Sequence, residues 1–152
     1  MKPDQAADPT FWLRLSDVSR RAGLPVEALR YARHALQISE SGESVRAVAL
    51  GLIANQQRPE ALQLLGEHAQ SLSSSAAFQR VRAEIFTQGR QWPEVLSAVG
   101  QWLRLAPTDA RARYYLGVSQ WHLNQPIEAL ATLDAVRSEL WNDLDTPELP
   151  YW

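Results

Sequence analysis

The chain has no cysteine. Disulfides and thiolate metal sites are therefore excluded, although this absence fixes no compartment. No apolar run approaches the ~20 residues that a membrane-spanning helix needs. Residues 1–8 lack the cationic and apolar blocks of a secretory leader. Neither sign of charge is in excess. The net charge is −2, which gives no push toward nucleic acid or an anionic membrane. No window of four to eight residues alternates as a half-buried strand does. A Gly-rich phosphate loop and a Gly-x-Ser-x-Gly elbow are both missing. The three histidines, His34, His68 and His122, stand far apart, and none has a partner at metal-ligand spacing. These absences predict a protein that is not an enzyme and has no cofactor and no metal. They also predict no membrane insertion and no nucleic-acid partner. The expected compartment is cytoplasmic, or periplasmic if the chain is excised from a longer precursor.

What is present is a phrase that recurs. It reads Pro25-Val26-Glu27-Ala28-Leu29, then Pro59-Glu60-Ala61-Leu62, Pro93-Glu94-Val95-Leu96 and Pro126-Ile127-Glu128-Ala129-Leu130. Ala28, Ala61, Val95 and Ala129 are separated by steps of 33, 34 and 34 residues. A period in that range is the mark of stacked helical repeats. Proline suits the first turn of a helix, where its missing N–H would have no partner, and glutamate suits the positive end of the helix dipole. Each phrase therefore opens the second helix of a hairpin. Short polar turns precede it: Ala22-Gly23-Leu24, Gln56-Gln57-Arg58, Gln88-Gly89-Arg90-Gln91 and Leu123-Asn124-Gln125. First helices open with capping residues at Asp8, Ser41 or Ser44, Ser74 or Ser75, and Thr108-Asp109. The pattern predicts helices over about 9–22, 25–39, 43–56, 59–71, 75–89, 92–105, 109–123 and 126–140. Apolar spacing agrees, with Leu29, Ala32 and Leu36 on one face and Ile127, Leu130, Leu133 and Val136 on another.

The hairpin with small residues at fixed places resembles a tetratricopeptide repeat (TPR). The resemblance covers roughly residues 9–141. Ser16, Ala49, Ala83 and Gly117 match its small eighth place, and Ala28, Ala61, Val95 and Ala129 its twentieth. Trp12, Trp92 and Pro107 match its aromatic and closing positions. Gln79 and Arg113 depart from it at the fourth place, as do His68 and Trp102 at the usually small twenty-seventh. The resemblance implies an all-α, right-handed superhelical α-solenoid of four repeats, about 9–41, 42–75, 76–109 and 110–141. Residues 1–8 are expected as a disordered tail and 142–152 as an irregular cap or tail. A related RNA-reading repeat array has a similar period but needs a basic groove, which the charge balance does not supply.

In the TPR family the first helices line a concave face. That geometry implies a partner-binding groove built from Arg20, Arg46, Leu50, Arg80, Glu84, Arg111, Tyr114, Val118, Trp121 and His122. Asp17, Glu43 and Thr87 occupy other groove-facing places. Arginine's planar fork pairs well with carboxylates, so the groove is read as taking an acidic, partly aromatic segment of another protein. The plainer reading is a solvated face of exposed ion pairs, worth about 0–1 kcal/mol each. The set of lysines, asparagines and arginine with which one TPR subtype clamps a chaperone's C-terminal carboxylate is not present. Leu13, Asp17 and Ala47 fall there in one register, and Leu50, Val81 and Tyr115 in the other. Six tryptophans either fill gaps between helices or serve a binding surface. The second functional reading is a self-assembly or subunit-docking module, with Trp102, Trp141 and Trp152 as contacts. A homo-oligomer would form if the acidic-aromatic tail entered the groove of another copy.

Overall fold

The computed structural model describes residues 2–142. Those residues form nine α-helices and no strand: α1 (Pro3–Ala6), α2 (Pro9–Arg21), α3 (Pro25–Ile38), α4 (Gly42–Ala54), α5 (Arg58–His68), α6 (Ala76–Gln88), α7 (Trp92–Leu105), α8 (Ala110–His122) and α9 (Pro126–Asn142). The eight expected helices are all there. The segment read as a cap or tail lies outside the described residues, apart from Asn142. At the other end, Pro3–Ala6 is a turn of helix where a tail was expected. It is held from a distance: Trp12 Nε1 donates to the Ala6 carbonyl at 3.0 Å.

The helix starts have the expected chemistry. Asp8 accepts from Thr10 N at 3.0 Å, and Ser41 from Ser44 N at 3.1 Å. Ser44 returns the bond to Ser41 N, closing a capping box. Ser75 accepts from Phe78 N ahead of α6, and Asp109 from Arg111 N ahead of α8.

The turns inside the hairpins are alike in all four repeats. Gly23, Gln56, Arg90 and Asn124 have φ of +77°, +61°, +54° and +60°. The residue after each donates its N–H back five positions, from Leu24 to Ser19, Gln57 to Leu52, Gln91 to Phe86 and Gln125 to Gln120, at 2.8–2.9 Å. This is the left-handed helix end in which the chain reverses direction while satisfying the last carbonyls. The carbonyls of Leu24, Gln57, Gln91 and Gln125 then accept the first bond of the next helix.

The chain divides into two compact units, Met1–Val81 and Arg82–Trp152, with the boundary inside α6. In the first, α2 packs on α3 and α4, α3 on α4, and α4 on α5. Ala28, Ala32, Ala35, Val45, Ala49, Ala61 and Phe78 are wholly buried. Small residues let the helices close up: Ser16 Oγ donates to the Ala28 carbonyl at 2.8 Å, directly linking the eighth and twentieth places of the first repeat. A methyl on Gly51 would sit 3.1 Å from Leu29 Cα, so α4 lies close on α3. Asn55 Nδ2 donates to the Pro25 and Gly51 carbonyls at 2.8 and 2.7 Å, pinning the α4–α5 turn to the start of α3.

In the second unit α7 packs on α8, and α8 on α9. Its largest buried side chain is Trp102, 1% exposed and 6.0 Å from the Tyr115 ring. This corrects the docking-module reading, which counted Trp102 as a surface contact. Its burial against Tyr115 takes the indole away from the surface. Trp141 and Trp152, the other two rings of that reading, have no described side chain.

Candidate functional site

The residues expected to bind a partner fall on the first helices of both units. In the first unit, Arg20 is on α2, Arg46 and Leu50 lie one turn apart on α4, and Arg80 is on α6; all four are half-buried. In the second, Arg111, Tyr114, Val118, Trp121 and His122 follow helical spacing on α8. Trp121 is 54% exposed. Tyr114 stands edge-on to Tyr115 at 5.8 Å. His122 stacks flat on Trp92, with ring centroids 4.0 Å apart and planes within 2°.

Two of the expected contacts are inside. Val118 is 7% exposed and Glu84 8%, so packing takes both side chains away from the surface. Thr87, a groove-facing place by family geometry, is 3% exposed, and its hydroxyl has no hydrogen-bond partner among the described residues. The first helix of the third repeat is thus more enclosed than its sequence suggests.

The arginines do not stand as bare cations. Arg20 Nη2 lies 2.9 Å from Asp17 Oδ1, and Arg21 Nε 3.1 Å from Asp17 Oδ2. Arg111 Nη2 lies 3.3 Å from Asp109 Oδ2. Arg46 and Arg80 have partners as well. Burial alone would push the Asp109 carboxyl up, but the Arg111 side chain and the backbone N–H groups of Arg111 and Ala112 outweigh it and hold the group below its ordinary value. These pairs are part-exposed, so each contributes about 0–1 kcal/mol. They hold the guanidinium groups in place.

A polar cluster that the sequence did not announce ties two inter-helix connections together. Glu40 Oε1 accepts from Ser71 Oγ and meets His68 Nδ1 at 3.0 Å. The Ser71 bond, then the His68 bond, hold the Glu40 carboxyl below its usual value. Hydroxyl and ring both meet the same carboxylate oxygen, and not each other. The trio therefore lacks the serine-to-imidazole bond on which nucleophile activation depends, and acts as a tether. Among the described residues no cluster of His, Asp or Glu could hold a metal ion, and no helix is long and apolar enough to cross a membrane.

A recess of about 490 Å³ also lies in the first unit, on the second-helix side. Val26, Leu29, Arg30, Arg33, His34 and Asn55 are among its lining. It forms where α3 meets the α4–α5 turn.

No protein-family model matches the chain, and no curated protein matches it in sequence. Solved structures do. The structure of YrrB, described as a TPR protein with an unusual peptide-binding site, is 19% identical with a TM-score of 0.65, over 91% of this chain and 72% of that one. MamA is 14% identical with a TM-score of 0.67, over 91% and 81%. The nearly identical TPR-like repeats of a putative kinesin light chain from Podosopora anserina are 19% identical with a TM-score of 0.64, over 90% and 78%. At such identities the likeness is one of fold.

Proposed function

We propose that this chain, which has the tetratricopeptide-repeat fold, is a non-enzymatic protein-interaction scaffold whose first-helix faces hold a segment of another protein. The observation that carries the reading is the stripe on α8. Arg111, Tyr114 and Trp121 remain at the surface along one helix face, and Trp121 exposes 54% of itself while Trp102 is buried. A rigid indole and phenol give contact area at low entropic cost, and a guanidinium beside them selects a carboxylate. In the first unit Arg20, Arg46, Leu50 and Arg80 offer the same mixture of cation and apolar surface. The segment so selected is acidic and partly aromatic. Helices fixed by their own turns and cores are already ordered, so binding restricts mainly the ligand. The peptide-binding site ascribed to YrrB gives the fold a precedent for such a role.

Selection from a random peptide library tests this directly. Enrichment of Asp or Glu together with aromatic residues is expected. The triple variant Arg46→Glu, Arg80→Glu, Arg111→Glu, checked for unchanged helicity, is expected to lose that enrichment. Peptides without acidic character, or equal capture by the variant, would overturn the acidic-segment reading.

A further inference from the structure

The recess on α3 is lined by side chains that find no charge partner inside the protein. Val26, Arg30 and Arg33 follow one helix face, at steps of four and three residues, with Leu29 beside them. Leu29 is almost wholly buried near Gly51 of α4 and, with the exposed Val26, supplies an apolar floor. Arg30 and Arg33 are exposed. Arg30 meets the Tyr31 ring, 5.2 Å from its centroid, and neither guanidinium has an ion pair among the described residues. Arg20, Arg21, Arg46, Arg80 and Arg111 differ from them in having partners. Among the described residues no Asp or Glu lines the recess. His34 stands edge-on to Trp12 with centroids 4.2 Å apart, and adds an imidazole to the same wall. The opposite wall is fixed. Asn55 Nδ2 gives both its hydrogens to the Pro25 and Gly51 carbonyls, which leaves Oδ1 as an acceptor.

We propose that this recess is a second docking site, for a short extended segment of another protein that carries an apolar side chain and a carboxylate two positions apart. Charge complementarity selects the acid: a guanidinium fork matches the two oxygens of a carboxylate. The floor selects the apolar neighbour, which a bare inorganic oxyanion would leave unmatched. A volume of about 490 Å³ holds a few side chains. Spacing gives the two-residue interval. Leu29 and Arg33 are four residues apart, about 6 Å along the helix axis. Alternate side chains of an extended segment point the same way about 6.6 Å apart. A side chain seated on Val26 and Leu29 therefore brings the acid two positions away to Arg30 and Arg33. Extended backbone has unpaired N–H groups, and Asn55 Oδ1, beside the Pro25 carbonyl at the Val26 end, is the acceptor left for one of them. The recess shares no residue with the first-helix faces, so this proposal and the peptide-scaffold reading can fail separately.

The probe is the capped peptide acetyl-Ala-Leu-Ala-Glu-Ala-amide, titrated into the whole chain while side-chain N–H signals are followed by NMR. Saturable shifts are expected at Arg30 Nε, Arg33 Nε and Asn55 Nδ2. The Nε signals of Arg46, Arg80 and Arg111 report the first-helix faces separately. Changing the peptide's glutamate to glutamine, or its leucine to alanine, is expected to weaken binding at the recess about tenfold in each case. The double variant Arg30→Gln, Arg33→Gln is expected to lose about tenfold or more. Both residues are exposed, so an unchanged thermal midpoint is expected to show that the variant folds. Shifts at the first-helix arginines alone, or none that saturate, would overturn the proposal. Equal affinity for the glutamine or alanine peptide would do so as well. Inorganic phosphate that saturates the recess signals as tightly as the peptide would also overturn it, and would assign the site to a bare oxyanion.

Discussion

A side chain in the left-handed region carries a local cost that glycine avoids. Gln56 and Arg90 take that conformation at the hairpin turns, where Gly23 shows the unstrained solution. Gln56→Gly and Arg90→Gly are each expected to stabilise the fold by about 0.5–1 kcal/mol in urea unfolding. Asn124 tolerates the region better and should respond less. Thr87 is a second case. Its buried hydroxyl bonds to nothing described, so Thr87→Val is expected to be neutral or mildly stabilising, as judged by the thermal midpoint. Glycines separate by what a methyl would meet. Gly100 has open space, and Gly100→Ala should gain about 1 kcal/mol from helix propensity. Gly117 would place a methyl 2.6 Å from Leu133 Cγ, so Gly117→Ala should lose stability despite the same propensity gain. Sequence pattern reached Gly117 through its fixed place in the repeat. It did not reach Thr87 or Trp102, because burial of a polar or outsized side chain is decided by neighbours far along the chain.

Helix ends were readable because their chemistry is local. Proline, glutamate and the capping Asp and Ser residues act within one turn, and the boundaries they predict agree with the structure to within about three residues. The α1 turn was not readable, since its tie is an indole hydrogen bond six residues away. Acid should act on these ends in a defined direction. The Asp109 carboxyl is held below its ordinary value of 3.8, so its contribution is complete above that pH and is lost as pH falls through the lower folded value. Glu40 behaves likewise below its ordinary 4.5. Thermal midpoints are therefore expected to fall as the pH drops below about 4.5. Asp109→Asn keeps a cap but no titrating charge, and should flatten part of that fall while losing the Arg111 pair.

Across each compact unit, burial is uneven, and stability should follow it. Helix α4 buries seven residues and lies against α2, α3 and α5, whereas α2 buries two and has the short α1 on its outer side. Hydrogen exchange is expected to be slower in α4 than in α2, since a terminal helix opens without disturbing the rest. Slower exchange in α2 would contradict this. The candidate binding faces were only half readable. Helical spacing placed Arg46 with Leu50 and Arg111 with Tyr114 and Trp121, but the arginine–aspartate pairing within α2 and at the start of α8 depends on rotamers that no spacing rule reports. The exposure of Leu130 against the burial of Leu29 was hidden for the opposite reason: the phrases around them are nearly alike, and α4 packs on Leu29 whereas no described residue covers Leu130 in the same way.

The left-handed turns recur at Gly23, Gln56, Arg90 and Asn124, in the same step as the proline phrase. A helix advances about 100° per residue. One residue inserted inside a helix would therefore swing the later side chains of that helix onto the wrong face. Length changes inside the helices should be lethal to assembly, whereas the serine-rich stretch between His68 and Ala76, which no helix occupies, is where an extra residue can be absorbed. Natural variants of this chain should differ in length there before they differ anywhere else within the array.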